Sequence, residues 1–307
     1  MLTEAIFIAF FVIGIQLAVP LLLAALGELV QEKSGVLNIG IEGVMLIGAF
    51  TTAFVGIETG NPYLALLAGG FIGIACGIVL SFLYVYRGTD QIVTGLMFNI
   101  FAFGLTGTLH GLFLGGQVGP TLPATQIPVI SDLRWLGPII DQQNMMFYLG
   151  LMFMFFVYWA MQRTWWGLYA RTAGERPLAA ESGGLNVLRL RYPAVIVGSI
   201  LSSLGGAALV LGTSGGFVPG MTAGRGFIAL GVVVLARWKP MLVLIFAFAF
   251  GLTQGLQFLG GRLDTLSGIP PQFWTALPYV MTVVAVVFAP GSTYPAAVGI
   301  PYKRAGR

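Results

Sequence analysis

The residues best suited to chemistry in this chain are polar side chains within long apolar runs. Asn38 and Glu42 lie four positions apart in the stretch EKSGVLNIGIEGVMLIGAF, residues 32–50, so on a helix they share one face. Polar groups within a membrane are costly and usually face a cavity or a partner helix. The surrounding glycines permit a kinked helix whose freed backbone groups are satisfied by a bound molecule, water or neighbours. Two interpretations follow: this stretch lines or gates a cavity, or Glu42 ties helix ends together by hydrogen bonding.

A second candidate group lies in the stretch TDQIVTGLMFNIFAF, which contains Gln91, Thr94 and Asn99. Asn99 either faces the same cavity or makes an interhelical hydrogen bond. The sequence has no Ser/His, paired-Asp or His–Glu metal arrangement, and the single His110 and single Cys76 form neither a catalytic pair nor a metal site. An enzyme is therefore not predicted, and no metal or cofactor is expected.

Composition identifies the elements that must position these residues. The chain is 57% hydrophobic and only 8% charged, whereas soluble domains carry about 25% charged residues. Apolar runs of roughly 20 residues cross a bilayer as helices, while the strands of a membrane barrel would alternate over about 10. The runs here are continuous, so we predict an all-α integral membrane protein.

About nine transmembrane helices are predicted in a single membrane domain, residues 1–307. The seventh is too short to cross about 30 Å unaided, so part of the preceding loop must enter the membrane with it. In the third, Gly69, Gly73 and Gly77 share one face and predict close helix packing. The nine approximate ranges are 5–26, 36–57, 63–86, 91–114, 144–162, 192–213, 226–236, 241–259 and 272–290.

Basic residues set the predicted orientation. If the loop at 163–191 is cytoplasmic, twelve of the Lys and Arg residues lie on the inner side and three on the outer side. Cytoplasmic loops of membrane proteins carry an excess of Lys and Arg. We therefore expect the N-terminus outside and the C-terminus in the cytoplasm.

The predicted spans form two groups of four on either side of a central span. One span between two such groups forces them into opposite orientations, which is the inverted-repeat plan of many transporters. In both halves the second span is interrupted by glycines, which predicts a binding site or gate near the midplane; two ordinary loops with tight turns are the alternative. The predicted order is a first half (about 5–114), an external loop (115–143), a central helix (144–162), a cytoplasmic loop (163–191), a second half (about 192–290) and a cytoplasmic tail (291–307).

The cytoplasmic loop carries five Arg residues and an Ala-rich patch. Pro177 at a first helical turn and Gly183-Gly184 as a stop predict a short helix within it. Such a helix either docks another protein or is a charged anchor that only fixes topology. Glu32 and Lys33 are expected at the same membrane interface.

Three stretches carry a resemblance to a known family. The string GLYARTAGERPLAAESGGLNV resembles the coupling loop of ABC importer permeases in the branched-chain amino acid, ribose and nucleoside superfamily. SGVLNIGIEGVMLIGAF and GRGFIALGVVVLARWKP look most like the nucleoside and simple-sugar branch. Gln91 stands near the position where that branch usually has Glu, which weakens a charge role there. The matched loop positions are Gly167, Arg171, Gly174, Glu175, Pro177, Ala179, Ala180, Gly184 and Val187.

The resemblance implies a type II importer-like fold whose cytoplasmic loop couples to a separate ATPase. The sequence has no G-x-x-x-x-G-K-[ST] pattern, so the chain cannot hold ATP phosphates in the usual way. Members of this branch work in the bacterial cytoplasmic membrane as two different permeases, an ATPase and an extracytoplasmic substrate-binding protein. The translocation-path candidates are then Asn38, Glu42, Gln91, Thr94 and Asn99.

The expected substrate is a nucleoside or a related small polar solute. A simple sugar or a flavin is the alternative, because neutral amides and aromatic side chains suit a base or a sugar. A self-sufficient secondary transporter is a second class of function, although a carrier coupled to protons or sodium normally needs buried acids in several spans. Nucleic acid is not an expected partner, because the basic residues are dispersed along the chain.

Overall fold

The computed structural model describes residues 2–125, 137–260, 270–288 and 294–302. Over these ranges the regular structure is helical, and pairing between extended segments is limited to two isolated bridges. Seven helices there are long and apolar enough to cross a membrane, and a shorter apolar helix spans Arg225–Leu235. The prediction of an all-α membrane protein is therefore confirmed.

Twelve helices follow one another along the described residues. Three of them continue into a π-helical turn, at Phe82–Tyr86, His110–Leu114 and Val210–Ser214. The helices are α1 (Leu2–Lys33), α2 (Ile41–Thr59), α3 (Pro62–Ser81), α4 (Gln91–Leu109), α5 (Gly137–Ile140), α6 (Met145–Arg163), α7 (Trp165–Glu175), α8 (Pro177–Ser182), α9 (Val187–Leu209), α10 (Arg225–Leu235), α11 (Pro240–Gly260) and α12 (Pro271–Phe288).

Several helices begin at polar residues that cap their first turn. In each case a side-chain oxygen accepts a hydrogen bond from a backbone N–H group that has no partner within the helix. These caps fix helix starts that hydropathy alone locates only approximately. The capping residues are Asn61, Asp90, Asn144, Thr164 and Asn186.

The centre of the structure is the pair α1 and α9, which pack side by side. A Cβ at Gly27 would collide with the carbonyl of Gly198, so the two backbones are in contact. α11 packs along α1 and α3 packs along α9, while α2 lies against α9 and α10 lies against α1. The short α10 is thus held by long helices, which together position its first turn.

The predicted glycine stripe of α3 packs against neighbouring helices. A Cβ at Gly73 would lie 2.8 Å from Ile200 Cα, and a Cβ at Gly77 would lie 2.7 Å from Ile196 Cα. Gly69 lies against side chains of α2 and α9. Residues without a side chain therefore let α3 approach the backbone of α9, as the stripe predicts.

The structure differs from the predicted spans mainly on the side of the 163–191 loop. α9 begins at Val187, within the range assigned to the loop, because Asn186 caps it there. α7 is a helix that hydropathy did not predict. Glu32, expected at the membrane interface, is buried and accepts a hydrogen bond from Trp238 Nε1. Parts of three predicted segments lie outside the described residues: 126–136 of the external loop, 261–269 and 289–290 of the second half, and 291–293 and 303–307 of the tail.

Candidate functional site

Between α1 and α2 the chain runs without helical structure through residues 34–40, here called the linking segment. Buried side chains from other helices hold its backbone. The Leu37 N–H donates to Gln91 Oε1 at 2.7 Å, and the Asn38 N–H donates to Glu28 Oε1 at 2.9 Å. Lipid offers no hydrogen bonds, so non-helical backbone at membrane depth needs partners of this kind.

The Asn38 side chain is held in turn by the π-helical turn that continues α3. The hydroxyl of Tyr84 donates to Asn38 Oδ1 at 3.1 Å, and both residues are buried. Glu28 and Tyr84 are not among the predicted site residues. An acidic residue in an otherwise apolar run was the available signal for Glu28, whereas a Tyr among apolar residues gave none.

Asn99 of α4 clamps the beginning of α2. Its Oδ1 accepts a hydrogen bond from the Gly43 N–H at 2.8 Å, and its Nδ2 donates to the Ile39 carbonyl at 2.9 Å. The oxygen of the amide thus bonds to backbone within α2, and its NH2 group bonds to backbone just before α2 begins. Asn99 is 6% exposed, so water competes little for these bonds.

Glu42 connects the beginnings of α2 and α10. The Gly224 N–H donates to Glu42 Oε1 at 2.8 Å, and the Gly226 N–H donates to Glu42 Oε2 at 2.6 Å. Glu42 lies in the first turn of α2 and is 2% exposed. Gly224 has no side chain with which to cap α10, so a carboxylate from another helix caps it across the molecule.

α2 and α10 approach each other closely at Gly226. A Cβ at this position would lie 2.7 Å from Glu42 Oε2 and 2.8 Å from Glu42 Cα. Gly224 has a φ of 80°, in the left-handed region that favours glycine. Glycine at both positions therefore lets Glu42 reach the backbone of α10 without a clash or strain.

The structure brings four of the five predicted path residues together. Asn38 lies in the linking segment and Glu42 in the first turn of α2, and Gln91 and Asn99 hydrogen-bond to the backbone of these two elements. Thr94 bonds elsewhere, because its hydroxyl donates to Thr89 Oγ1 at 3.0 Å. The four form a buried polar junction, which can hold two helix ends in one fixed arrangement.

The residues that resemble a coupling loop lie apart from this junction and divide into exposed and buried sets. Leu178 is 64% exposed, and Glu175 and Ala179 are exposed as well. Ala180 is 2% exposed and packs in an apolar cluster with Val187. The outward face of α8 is therefore formed by Leu178 and Ala179, while Ala180 fixes the helix to the protein.

The remaining loop residues shape the local backbone. Pro177 occupies the first turn of α8, and Gly184, with a φ of 85°, lies two residues beyond its end. Arg171 Nε donates to the Gly167 carbonyl at 3.2 Å. Gly174 packs so closely on α1 that a Cβ would collide with the last carbonyl of that helix. The loop thus contacts the chain just before the linking segment begins.

Residues 10–286 match the family model described as branched-chain amino acid transport system / permease component. The chain belongs to this permease family. Its members are components of membrane transporters, in agreement with the apolar spanning helices and the predicted resemblance. No solved structure matches this permease.

Several curated proteins are similar to this permease over nearly their full length. It is 34% identical to the guanosine ABC transporter permease NupQ of Bacillus subtilis, covering 94% of this chain and 95% of that protein. It is 34% identical to the putative glucose ABC transporter permease TsgC13 of Haloferax volcanii, with 94% and 93% covered. The nucleoside ABC transporter permease NupC of Lactococcus lactis is 29% identical, with 92% and 93% covered. Each organism has a second permease named for the same substrate, 25% or 26% identical to this chain.

Proposed function

We propose that this permease forms part of the translocation path of an ATP-driven ABC importer for nucleosides. Its similarity along almost the whole chain to permeases named for guanosine and for nucleoside transport carries the proposal. A separate ATPase and an extracytoplasmic substrate-binding protein are the expected partners. A glucose-like sugar is the second candidate substrate, favoured by the 34% identity to the permease from Haloferax volcanii.

A second, homologous permease is proposed as the partner within the membrane. In Bacillus subtilis, Haloferax volcanii and Lactococcus lactis, two permeases that are similar to this chain share one substrate name. α4 has a broad apolar face that the described helices leave uncovered: Met97, Ile100 and Phe101 are 62%, 67% and 58% exposed. Val283 and Val287 of α12 are 64% and 71% exposed. Both faces have the composition of a surface that lipid or another permease covers.

The two halves of the chain are proposed to be inverted repeats, α1–α4 and α9–α12, with α6 between them. The packing pattern supports this pairing. If α1 is matched with α9, α2 with α10 and α3 with α11, the contact of α1 with α11 corresponds to the contact of α9 with α3. The contact of α2 with α9 likewise corresponds to that of α10 with α1. The polar junction then forms where the second helix of each half begins.

We further propose that the linking segment and the polar junction gate the path. In this gate Glu42 connects α2 with α10, and Asn38, Gln91 and Asn99 hold the linking segment and the start of α2 in place. Thr94 is the remaining candidate for contact with solute, because it is only partly buried. The outward face of α8 is the proposed contact with the ATPase, on the cytoplasmic side, with the N-terminus on the outside.

The substrate is tested by reconstitution of the permease with the ATPase, second permease and substrate-binding protein encoded with it. Proteoliposomes with ATP inside should accumulate tritiated guanosine added with the binding protein, and excess unlabelled glucose should not compete. Uptake without ATP would contradict an ABC mechanism and indicate a secondary transporter. Competition by glucose but not by other nucleosides would move the assignment to a sugar.

The ATPase contact is tested by Leu178→Asp, which places a charge on the outward face of α8 without disturbing the buried Ala180. A desolvated charge costs several kcal/mol, so ATPase binding and uptake should both be lost while membrane insertion persists. Ser182→Asp, an exposed position at the end of the same helix, is the control. Normal uptake by Leu178→Asp would exclude α8 as the coupling element.

A further inference from the structure

Residues 294–302, here called the C-terminal segment, fold back onto the cytoplasmic loop. The Ala297 N–H donates to the Gly174 carbonyl at 2.9 Å, and the Ala296 N–H lies 3.4 Å from Glu175 Oε2. Ala297 and Val298 are 7% and 8% exposed. The segment is therefore packed against the end of α7, at the glycine that contacts α1.

The far end of the segment contacts α8 and α9. The hydroxyl of Tyr302 donates to Glu181 Oε2 on α8. The guanidinium carbon of Arg191, near the start of α9, lies 5.8 Å from the centroid of the Tyr302 ring. Arg191 Nη1 donates to the Ile300 carbonyl at 3.3 Å, and its Nη2 lies 3.4 Å from the Ala173 carbonyl in α7.

Arg191 is only 2% exposed. The C-terminal segment supplies some of the polar partners that replace water around its guanidinium. A buried cation is costly unless polar partners compensate. The Ala173 carbonyl is near the C-terminal end of α7, where a positive charge is favourable. The Ile300 carbonyl and the face of the Tyr302 ring are the partners that the C-terminal segment contributes. Removing the segment would leave this guanidinium with fewer partners and α7, α8 and α9 less firmly joined.

The beginning of the C-terminal segment contacts the helices of the membrane domain. The Tyr294 ring packs edge-on against Trp238, with centroids 5.0 Å apart. Trp238 follows α10 and donates to Glu32 in α1. The same segment thus contacts α8 at one end and the inner end of α10 at the other.

We propose that the C-terminal segment positions α7 and α8 for energy coupling, with Arg191 and Tyr302 as positioning residues. It holds Gly174 against the end of α1, so that a displacement of α8 is transmitted to the linking segment rather than absorbed within the loop. Arg191 also lies against Gly35, where a Cβ would collide with its guanidinium. This inference rests on the proposed role of α8 as the ATPase contact.

The test uses the complete transporter in proteoliposomes and measures substrate imported per ATP hydrolysed. Tyr302→Ala and Arg191→Met should each lower this ratio about tenfold, since losing one charge-assisted hydrogen bond changes an equilibrium by about that factor. Tyr302→Phe keeps the ring under Arg191 and should show a smaller loss. Arg189→Met, at an exposed position two residues before Arg191, is the control and should match the wild type.

Wild-type import per ATP in both Tyr302→Ala and Arg191→Met would overturn the proposal. If these variants assemble poorly, a pair of cysteines replacing Glu181 and Tyr302, in a Cys76→Ala background, provides a second test. Import should be low before cross-linking and should recover when a short bismaleimide joins the two positions; no recovery would also overturn it. Leu178→Asp separates the two proposals. If Leu178→Asp abolishes import while Tyr302→Ala and Arg191→Met import normally, only the role of the C-terminal segment is contradicted.

Discussion

Glu42→Gln is the substitution that most directly tests the junction between α2 and α10. Glutamine has nearly the shape of glutamate but only one acceptor oxygen, and its NH2 group is a donor. One of the two N–H groups, at Gly224 or Gly226, would therefore face a donor instead of a carboxylate oxygen. The other would keep a hydrogen bond without the assistance of a charge.

The cost follows from the geometry. A hydrogen bond to a charged group contributes about 1.5–3 kcal/mol, and Glu42 is 2% exposed, so water does not replace the lost acceptor. At about 1.4 kcal/mol for each factor of ten, the population with an opened junction should rise roughly 10- to 150-fold. Glu42→Leu removes both acceptors and should have a larger effect.

Hydrogen exchange of the peptide that covers the start of α10 measures this opening directly, because amide exchange reports local opening. Glu42→Gln should accelerate exchange at 224–228, and Asn99→Ala should accelerate it at 40–44. Glu58→Gln, at the exposed end of α2, is the matched control. Unchanged exchange in Glu42→Gln would refute the argument that this carboxylate caps α10.

Uptake in the same variants distinguishes a gate from a purely structural junction. If the junction gates the path, uptake per assembled complex should fall in Glu42→Gln and fall further in Glu42→Leu. If abundance and uptake decline together at a constant ratio, Glu42 has no role in the path. Asn99 would then be the next residue to test.

Two further predictions concern packing and topology. Gly73→Ala should destabilise the protein by about 1–3 kcal/mol, because its methyl would press on the α9 backbone. Gly70→Ala, whose methyl would lie 3.7 Å from Leu204 Cδ2 in ordinary van der Waals contact, should melt like the wild type in a thermal assay. In a Cys76→Ala background, Thr125→Cys should react with an impermeant maleimide on intact cells, whereas Ser182→Cys should react only after permeabilisation. Labelling of residue 182 from outside would contradict the predicted orientation.

Most of the helices were predictable to within a few residues because apolar runs and capping residues mark them locally. The first span was predicted to end at 26, whereas α1 continues to Lys33. The range predicted for the third span, 63–86, agrees with α3 and its π-helical turn. α7 was not predicted, because two Trp residues beside several Arg residues give no continuous apolar run. Its amphipathic helix is recognisable only once Thr164 is seen to cap it.

The polar junction was predictable as a set of residues but not as a set of contacts. Asn38, Glu42, Gln91 and Asn99 were identified because polar groups are rare in apolar spans. The partner of Glu42 is the backbone at Gly224 and Gly226, more than 180 positions away in the sequence, and backbone N–H groups are present at almost every residue. The inward direction of Ala180 was equally hidden, since Leu178, Ala179 and Ala180 are all small or apolar.

The capping of α2 and α10 has a consequence for which solutes the proposed path would accept. The beginnings of helices are natural binding sites for anions, because their first N–H groups are free. Here the Gly43 N–H of α2 is bonded to Asn99, and the Gly224 and Gly226 N–H groups of α10 are bonded to Glu42. If the junction gates the path as proposed, a phosphorylated solute that reached it would have to displace a carboxylate of the protein itself, whereas a neutral solute would not. The proposed gate would then disfavour nucleotides relative to nucleosides without any residue dedicated to excluding them.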